Sequence, residues 1–175
     1  TMEYRTPFQI GPFTITFRDA GHILGSACLE IEDAYADSEI KKIIFSGDLG
    51  NSPEELLMET ELLDSADAVV MESTYGDSLH TNHSPFDILQ AEINAVENNG
   101  GTLLMPAFAL ERTQELLHII MHLKKDGKVR ADTPVFLDSP MAEKATNVYT
   151  NYYDLMNDHA KQAIENGTIF GFPGL

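Results

Sequence analysis

The chain has one cysteine, Cys28, in 175 residues. That excludes an internal disulfide framework and any zinc knuckle built from cysteines. Basic residues are scarce as well: 11 Lys and Arg stand against 28 Asp and Glu, a net charge of −17. So acidic a surface repels nucleic acid and anionic lipid over most of its area. A phosphate-bearing substrate stays compatible, because bound metal ions can dominate the field of a small cleft. No apolar run approaches the length of a membrane span, and no basic segment leads into a signal-like hydrophobic stretch. There is no internal repeat and no low-complexity tract. A hydrophobic share of 43% at this length is enough for a sizeable core. We expect a folded protein in a soluble, reducing, cytoplasmic setting.

Two patterns divide the chain. In the first part, Phe13, Ile15 and Phe17 alternate with Thr14 and Thr16, and Ala27, Leu29 and Ile31 alternate with Cys28, Glu30 and Glu32. This is the period of two of half-buried strands. Ile43–Phe45 and Val69–Met71 are short continuous apolar runs, which predicts strands covered on both faces. The acidic, Leu-rich segment 53–63 predicts a short helix. From Ser84 the pattern changes: Ser84-Pro85-Phe86-Asp87 supplies a cap, a proline at the first helical position and an acid behind it. Phe86, Leu89, Ile93 and Val96 then form one helical stripe, stopped by Asn98-Asn99-Gly100-Gly101. A strand over 102–105, a helix over 110–125, a strand over 134–137 and a helix opening at Ser139-Pro140 complete the reading. Strands alternating with helices predict parallel βα units, and the domain change falls near residue 78.

The residues with most chemical promise are His22, in the turn Ala20-Gly21-His22-Ile23-Leu24-Gly25-Ser26-Ala27, and Asp48, in Phe45-Ser46-Gly47-Asp48-Leu49-Gly50-Asn51. An imidazole and a carboxylate at strand tips, each flanked by glycines, suit a zinc site assembled from distant loops. Taken singly, they also read as a turn histidine and an aspartate steadying a Gly-rich loop. In combination they resemble the third and fourth metal-binding motifs of the metallo-β-lactamase superfamily. Met71-Glu72-Ser73-Thr74-Tyr75-Gly76-Asp77 resembles the first signature of its β-CASP branch of nucleic-acid nucleases. Met105–Glu115 and Leu137–Ala142 resemble segments of the β-CASP insertion.

The resemblance implies an α/β protein: the later part of a metallo-β-lactamase αββα sandwich over 1–78, then the first part of a β-CASP α/β domain over 79–175. It implies a zinc-dependent phosphodiester hydrolase with two zinc ions, His22 a terminal ligand of one and Asp48 the carboxylate bridging both. Glu72 matches an acid that orients a histidine acting near the leaving group. Arg112 and Ser139 match segments that meet the substrate. The implied partners are single-stranded RNA, with DNA still open, no membrane, and a second copy of the chain in a homodimer. The main ligand string of the superfamily, His-x-His-x-Asp-His, and its late histidine motifs are not in this sequence. Glu111 stands where many members have glycine. We therefore expect an internal piece of a longer protein, inactive by itself. Two other functions stay open: a non-catalytic scaffold subunit that keeps the fold, and a metallo-β-lactamase-fold hydrolase of small molecules, which the helical segment after Asp77 disfavours.

Weaker candidates have simpler explanations. His80 and His83 fall in a polar loop. His118 and His122 lie four apart on a predicted helix, but no glutamate follows His118, and packing explains the helix. Arg112 can pair with Glu111 or Glu115, Ser139 reads as a helix cap, and Tyr149, Tyr152 and Tyr153 suit either base stacking or a core.

Overall fold

The alternation in the first part produces a single sheet of five strands, β1 (Phe8–Ile10), β2 (Phe13–Asp19), β3 (Ala27–Asp33), β4 (Lys42–Phe45) and β5 (Ala68–Val70), arranged in chain order. β1 to β4 pair antiparallel and β5 joins β4 in parallel. The structure is a computed structural model and describes residues 2–33, 39–50, 55–79, 84–165, 170–172 and 174–175. The chain divides into two units, 1–78 and 79–175.

Register sets the two faces of the sheet. Thr16, Glu30 and Ile44 lie side by side, so Arg18 and Lys42, two residues along their own strands, share the face of Glu30. Arg18 Nε bonds Glu30 Oε2 at 2.6 Å, and Lys42 Nζ bonds Glu30 Oε1 at 2.6 Å. Arg18 also reaches Glu61 at 2.9 Å. Burial pushes the Glu30 carboxyl up, but hydrogen bonds from Lys42 and Arg18 outweigh it and hold it below the ordinary range. The opposite face carries Phe17, Leu29, Ile31, Ile43 and Phe45.

Two expectations for this unit need correction. Segment 53–63 is not a helix where it is described, from residue 55. Its backbone and side chains bond outward instead: Glu61 N–H donates to the Asp19 carbonyl at 2.9 Å and Thr60 Oγ1 to the Ala20 carbonyl at 2.9 Å. Those tertiary bonds, with Leu56 and Leu57 buried, outweigh a weak helical preference. Nor are the runs at 43–45 and 69–71 covered on both faces. Phe45, Val69, Val70 and Met71 are exposed, because β5 is a short edge strand and the chain offers nothing to lie over it among the described residues.

The second unit holds α1 (Pro85–Asn99), α2 (Arg112–Lys125), α3 (Pro140–Asn151), a 3₁₀ turn (Tyr153–Leu155) and α4 (Asp158–Glu165). α1 starts and stops where its punctuation predicts. The Ser84 hydroxyl accepts the Asp87 N–H, Pro85 is the first helical residue, and Gly100 follows at φ 71°. Leu89 and Ile93 of α1 meet Ile119, Ile120 and Leu123 of α2 in the core, joined by Val129. The predicted strands at 102–105 and 134–137 form no ladder among the described residues, so parallel βα units are not formed here. Their alternation is nevertheless intact. Leu103, Met105 and Val135 pack on the helical core, whereas Leu104 and Phe136 are 84% and 87% exposed. A strand needs a neighbour to hydrogen-bond, and side-chain period alone does not provide one. No described helix is long and apolar enough to cross a membrane.

Candidate metal centre

Strand direction carries His22, Asp48 and Glu72 to one edge of the sheet. β2 ends at Asp19 and β3 begins at Ala27, so the turn holding His22 closes that edge. β4 runs antiparallel to β3, which places its last residue, Phe45, opposite Leu29, and β5 ends beside it at Val70. The loops carrying Asp48 and Glu72 leave from those two ends.

Hydrogen bonds tie the three loops together. Gly50 N–H donates to the Ala20 carbonyl at 2.8 Å, joining the Asp48 loop to the His22 turn. Leu49 N–H donates to Glu72 Oε1 at 2.6 Å, and Thr74 Oγ1 donates to Glu72 Oε2 at 2.6 Å. Glu72 N–H in turn donates to Ser46 Oγ at 3.0 Å. The Thr74 hydroxyl and then the Leu49 amide hold the Glu72 carboxyl below its ordinary value, and the nearby His22 ring pulls the same way. Glu72 is thus an ionised acid occupied in fixing the loop next to Asp48.

The His22 turn is built as tightly. Ser26 Oγ accepts from His22 N–H at 3.1 Å and Ile23 N–H at 3.2 Å, and the Tyr4 hydroxyl donates to the Ser26 carbonyl at 2.8 Å. Gly21 has φ 62°, and a Cβ there would meet Thr60 N at 2.8 Å and Met58 O at 3.0 Å. Gly47, beside Asp48, has φ 60°, and a Cβ would meet the Ala27 carbonyl at 3.0 Å. Both glycines are needed for backbone hand and for space. His22 and Asp48 are exposed at the ends of these braced turns. One imidazole and one carboxylate are donors that fit zinc, and by themselves they would fill only part of its shell.

The other candidates belong to the second unit, and several are engaged there. Arg112 opens α2 and donates to Glu115 Oε2 at 2.7 Å. Ser139 caps α3, its hydroxyl accepting from Ala142 N–H at 3.2 Å. Tyr149 is buried and its hydroxyl donates to Glu111 Oε2, while Tyr152 is exposed, so the tyrosines make no common patch. His80 and His83 lie outside the described residues. His118 and His122 do belong to helix packing, but a third histidine, His159, joins them. Sequence reasoning missed it because His159 comes from α4, and no local spacing links two helices so far apart in the chain.

Residues 113–175 match the Beta-Casp domain model. The chain is also 35% identical over 161 residues to an RNase J-like protein of Methanocaldococcus jannaschii, covering 86% of this chain and 35% of that protein. Over these stretches the chain is similar to the β-CASP nucleases. A ribonuclease of Thermus thermophilus is 35% identical over 153 residues, covering 85% of this chain and 33% of the ribonuclease. Subunit 3 of the cleavage and polyadenylation specificity factor of Dictyostelium discoideum is 30% identical over 173 residues, covering 98% and 22%. The chain spans about a third of the first two relatives and less of the other.

Proposed function

We propose that the protein containing this chain is a metal-dependent β-CASP nuclease that hydrolyses phosphodiesters of single-stranded RNA, in the cytoplasm. The arrival of His22, Asp48 and Glu72 at one sheet edge, with their loops hydrogen-bonded to each other, is the observation that carries this reading. The relatives named as ribonucleases support RNA as the substrate class. Residues 1–78 are the later part of a metallo-β-lactamase sandwich and 79–175 the first part of the β-CASP domain. His22 and Asp48 would hold the zinc, His22 as a terminal ligand of one ion and Asp48 as the carboxylate shared by two. Ions bound there supply a deprotonated water at neutral pH and offset charge on the attacked phosphate. Glu72, kept ionised by Thr74 and Leu49, orients the group that serves the leaving oxygen. Arg112 reaches a substrate phosphate by exchanging its bond to Glu115, and Ser139 keeps its O–H free to donate while its oxygen caps α3.

The test uses the full-length protein. Asp48→Ala and His22→Ala should each lower metal-dependent RNA cleavage by at least roughly a hundredfold, the loss typical even of residues that only support metal ligands. Unchanged turnover in both variants would leave the scaffold reading standing.

A further inference from the structure

The second unit contains three histidines that the proposed nuclease centre does not use. His118 and His122 are one helical turn apart on α2 and project from the same side. His159, the second residue of α4, meets them: ring centroids are 4.5 Å apart for His118 and His122, 5.6 Å for His118 and His159, and 5.2 Å for His122 and His159. One nitrogen from each ring lies within 4.8 Å of the other two. The positioning is firm, since α4 is anchored by fully buried Met156 and Ala160 on either side of His159.

What makes the cluster unusual is its hydrogen bonding. Both ring nitrogens of His118 and Nε2 of His122 are buried without a hydrogen-bond partner. A buried polar nitrogen left without a partner is costly, because it has given up its bonds to water for nothing in return. Burial, then the two neighbouring rings, draws His118 down to about 4, so its imidazole is neutral and its lone pair available. Facing groups include Phe86, whose ring centroid is 6.3 Å from that of His122, with Lys125 and Asp126 near His122. The pocket is closed at His118 and open at His159, which is exposed.

We propose that His118, His122 and His159 bind a divalent transition ion of the zinc class, separate from any ion held by His22 and Asp48. Three imidazole nitrogens select zinc and its neighbours over magnesium or calcium, which take oxygen ligands. At Zn–N distances of about 2.0–2.1 Å, tetrahedral ligands stand roughly 3.4 Å apart. Small side-chain rotations close the present spacing to that value. The exposed side at His159 leaves the fourth position to water. The ion takes one of the two orphaned His118 nitrogens and staples α4 to α2.

Zinc per chain, measured by mass spectrometry on full-length protein equilibrated with zinc and dialysed, tests this directly. His159 is exposed, so His159→Ala should fold and should hold one zinc fewer than wild type. His159→Cys, which keeps a ligand, should retain it. In an Asp48→Ala background, adding His159→Ala should remove one further zinc per chain, which separates this ion from the sheet-edge centre. Equal zinc content in wild type and His159→Ala, or no zinc left in Asp48→Ala alone, would overturn the site.

Discussion

Glu111 occupies a backbone conformation, φ 60° and ψ −63°, that glycine adopts far more readily. Arg112 N–H donates to the Leu110 carbonyl at 2.8 Å, so Leu110-Glu111-Arg112 is a γ-turn of the strained hand. The side chain is what holds it there: Glu111 is buried and accepts the hydroxyl of Tyr149, itself buried. Glu111→Ala should lose that bond and keep the strain, whereas Glu111→Gly loses the bond and relieves the strain. The glycine variant should therefore be more stable than the alanine variant by about 1–3 kcal/mol in thermal or urea unfolding. The glutamate was visible in the sequence as a departure from the family's glycine. The turn was not, because it depends on a tyrosine far along the chain.

Glu30 gives a second prediction, in pH. Its carboxyl lies below the ordinary 4.5 in the folded state. Its contribution is therefore complete above about 4.5 and is lost as pH falls through the lower, folded value. Glu30→Gln should cost about 2 kcal/mol at neutral pH, less than for a fully buried pair because Arg18 and Lys42 are partly solvated. The gap between wild type and variant should narrow as unfolding is measured at successively lower pH below 4.5. A constant gap would assign the loss to packing.

Among the elements, those fixed by local chemistry were the legible ones. Ser84-Pro85 and Ser139-Pro140 open α1 and α3 as their residue types require, with hydroxyl oxygens accepting the expected amides. Segments 102–105 and 134–137 were misread because alternation reports which side is covered and says nothing about a partner strand. The helix expected over 53–63 failed for a related reason: bonds to Asp19 and Ala20 come from outside the segment. The cap on α3 can be tested apart from the proposed substrate role of Ser139. Ser139→Ala should cost about 1 kcal/mol, and Ser139→Asp should recover most of it, since aspartate caps as well as serine. The aspartate variant should still bind single-stranded RNA more weakly, through repulsion of phosphate. Equal RNA affinity for Ser139→Asp and wild type would leave the residue with its capping role alone.

For the whole molecule, charge makes the strongest claim. A net charge of −17 leaves few places where a polyanion can bind. The slope of log affinity against log salt counts neutralised phosphates at roughly −0.7 each for a single strand. A catalytically inactive full-length protein should give a shallow slope with single-stranded RNA, and binding should weaken sharply once metal is chelated. A steep slope indifferent to chelation would place the binding on a basic surface outside these residues. The 175 residues by themselves should show no turnover, since they contribute two of the proposed ligands of the sheet-edge centre. The edge itself was legible because strand tips and glycines mark it. The histidine cluster was not, because tertiary packing brings α4 to α2.

The order of the sheet has a consequence for how the chain is made. Each strand from β2 to β4 pairs with the one synthesised just before it, and β5 with β4 after a single crossover. Pairing between sequence neighbours keeps loop-closure costs small and assembly fast. On a ribosome, which delivers the chain from its N-terminal side, every strand would emerge to find its partner already waiting. Among the described residues, none of the ladder bonds waits for a residue beyond Val70. The braced turns around His22 and Asp48 can thus be in place before the helices of the second unit have been translated.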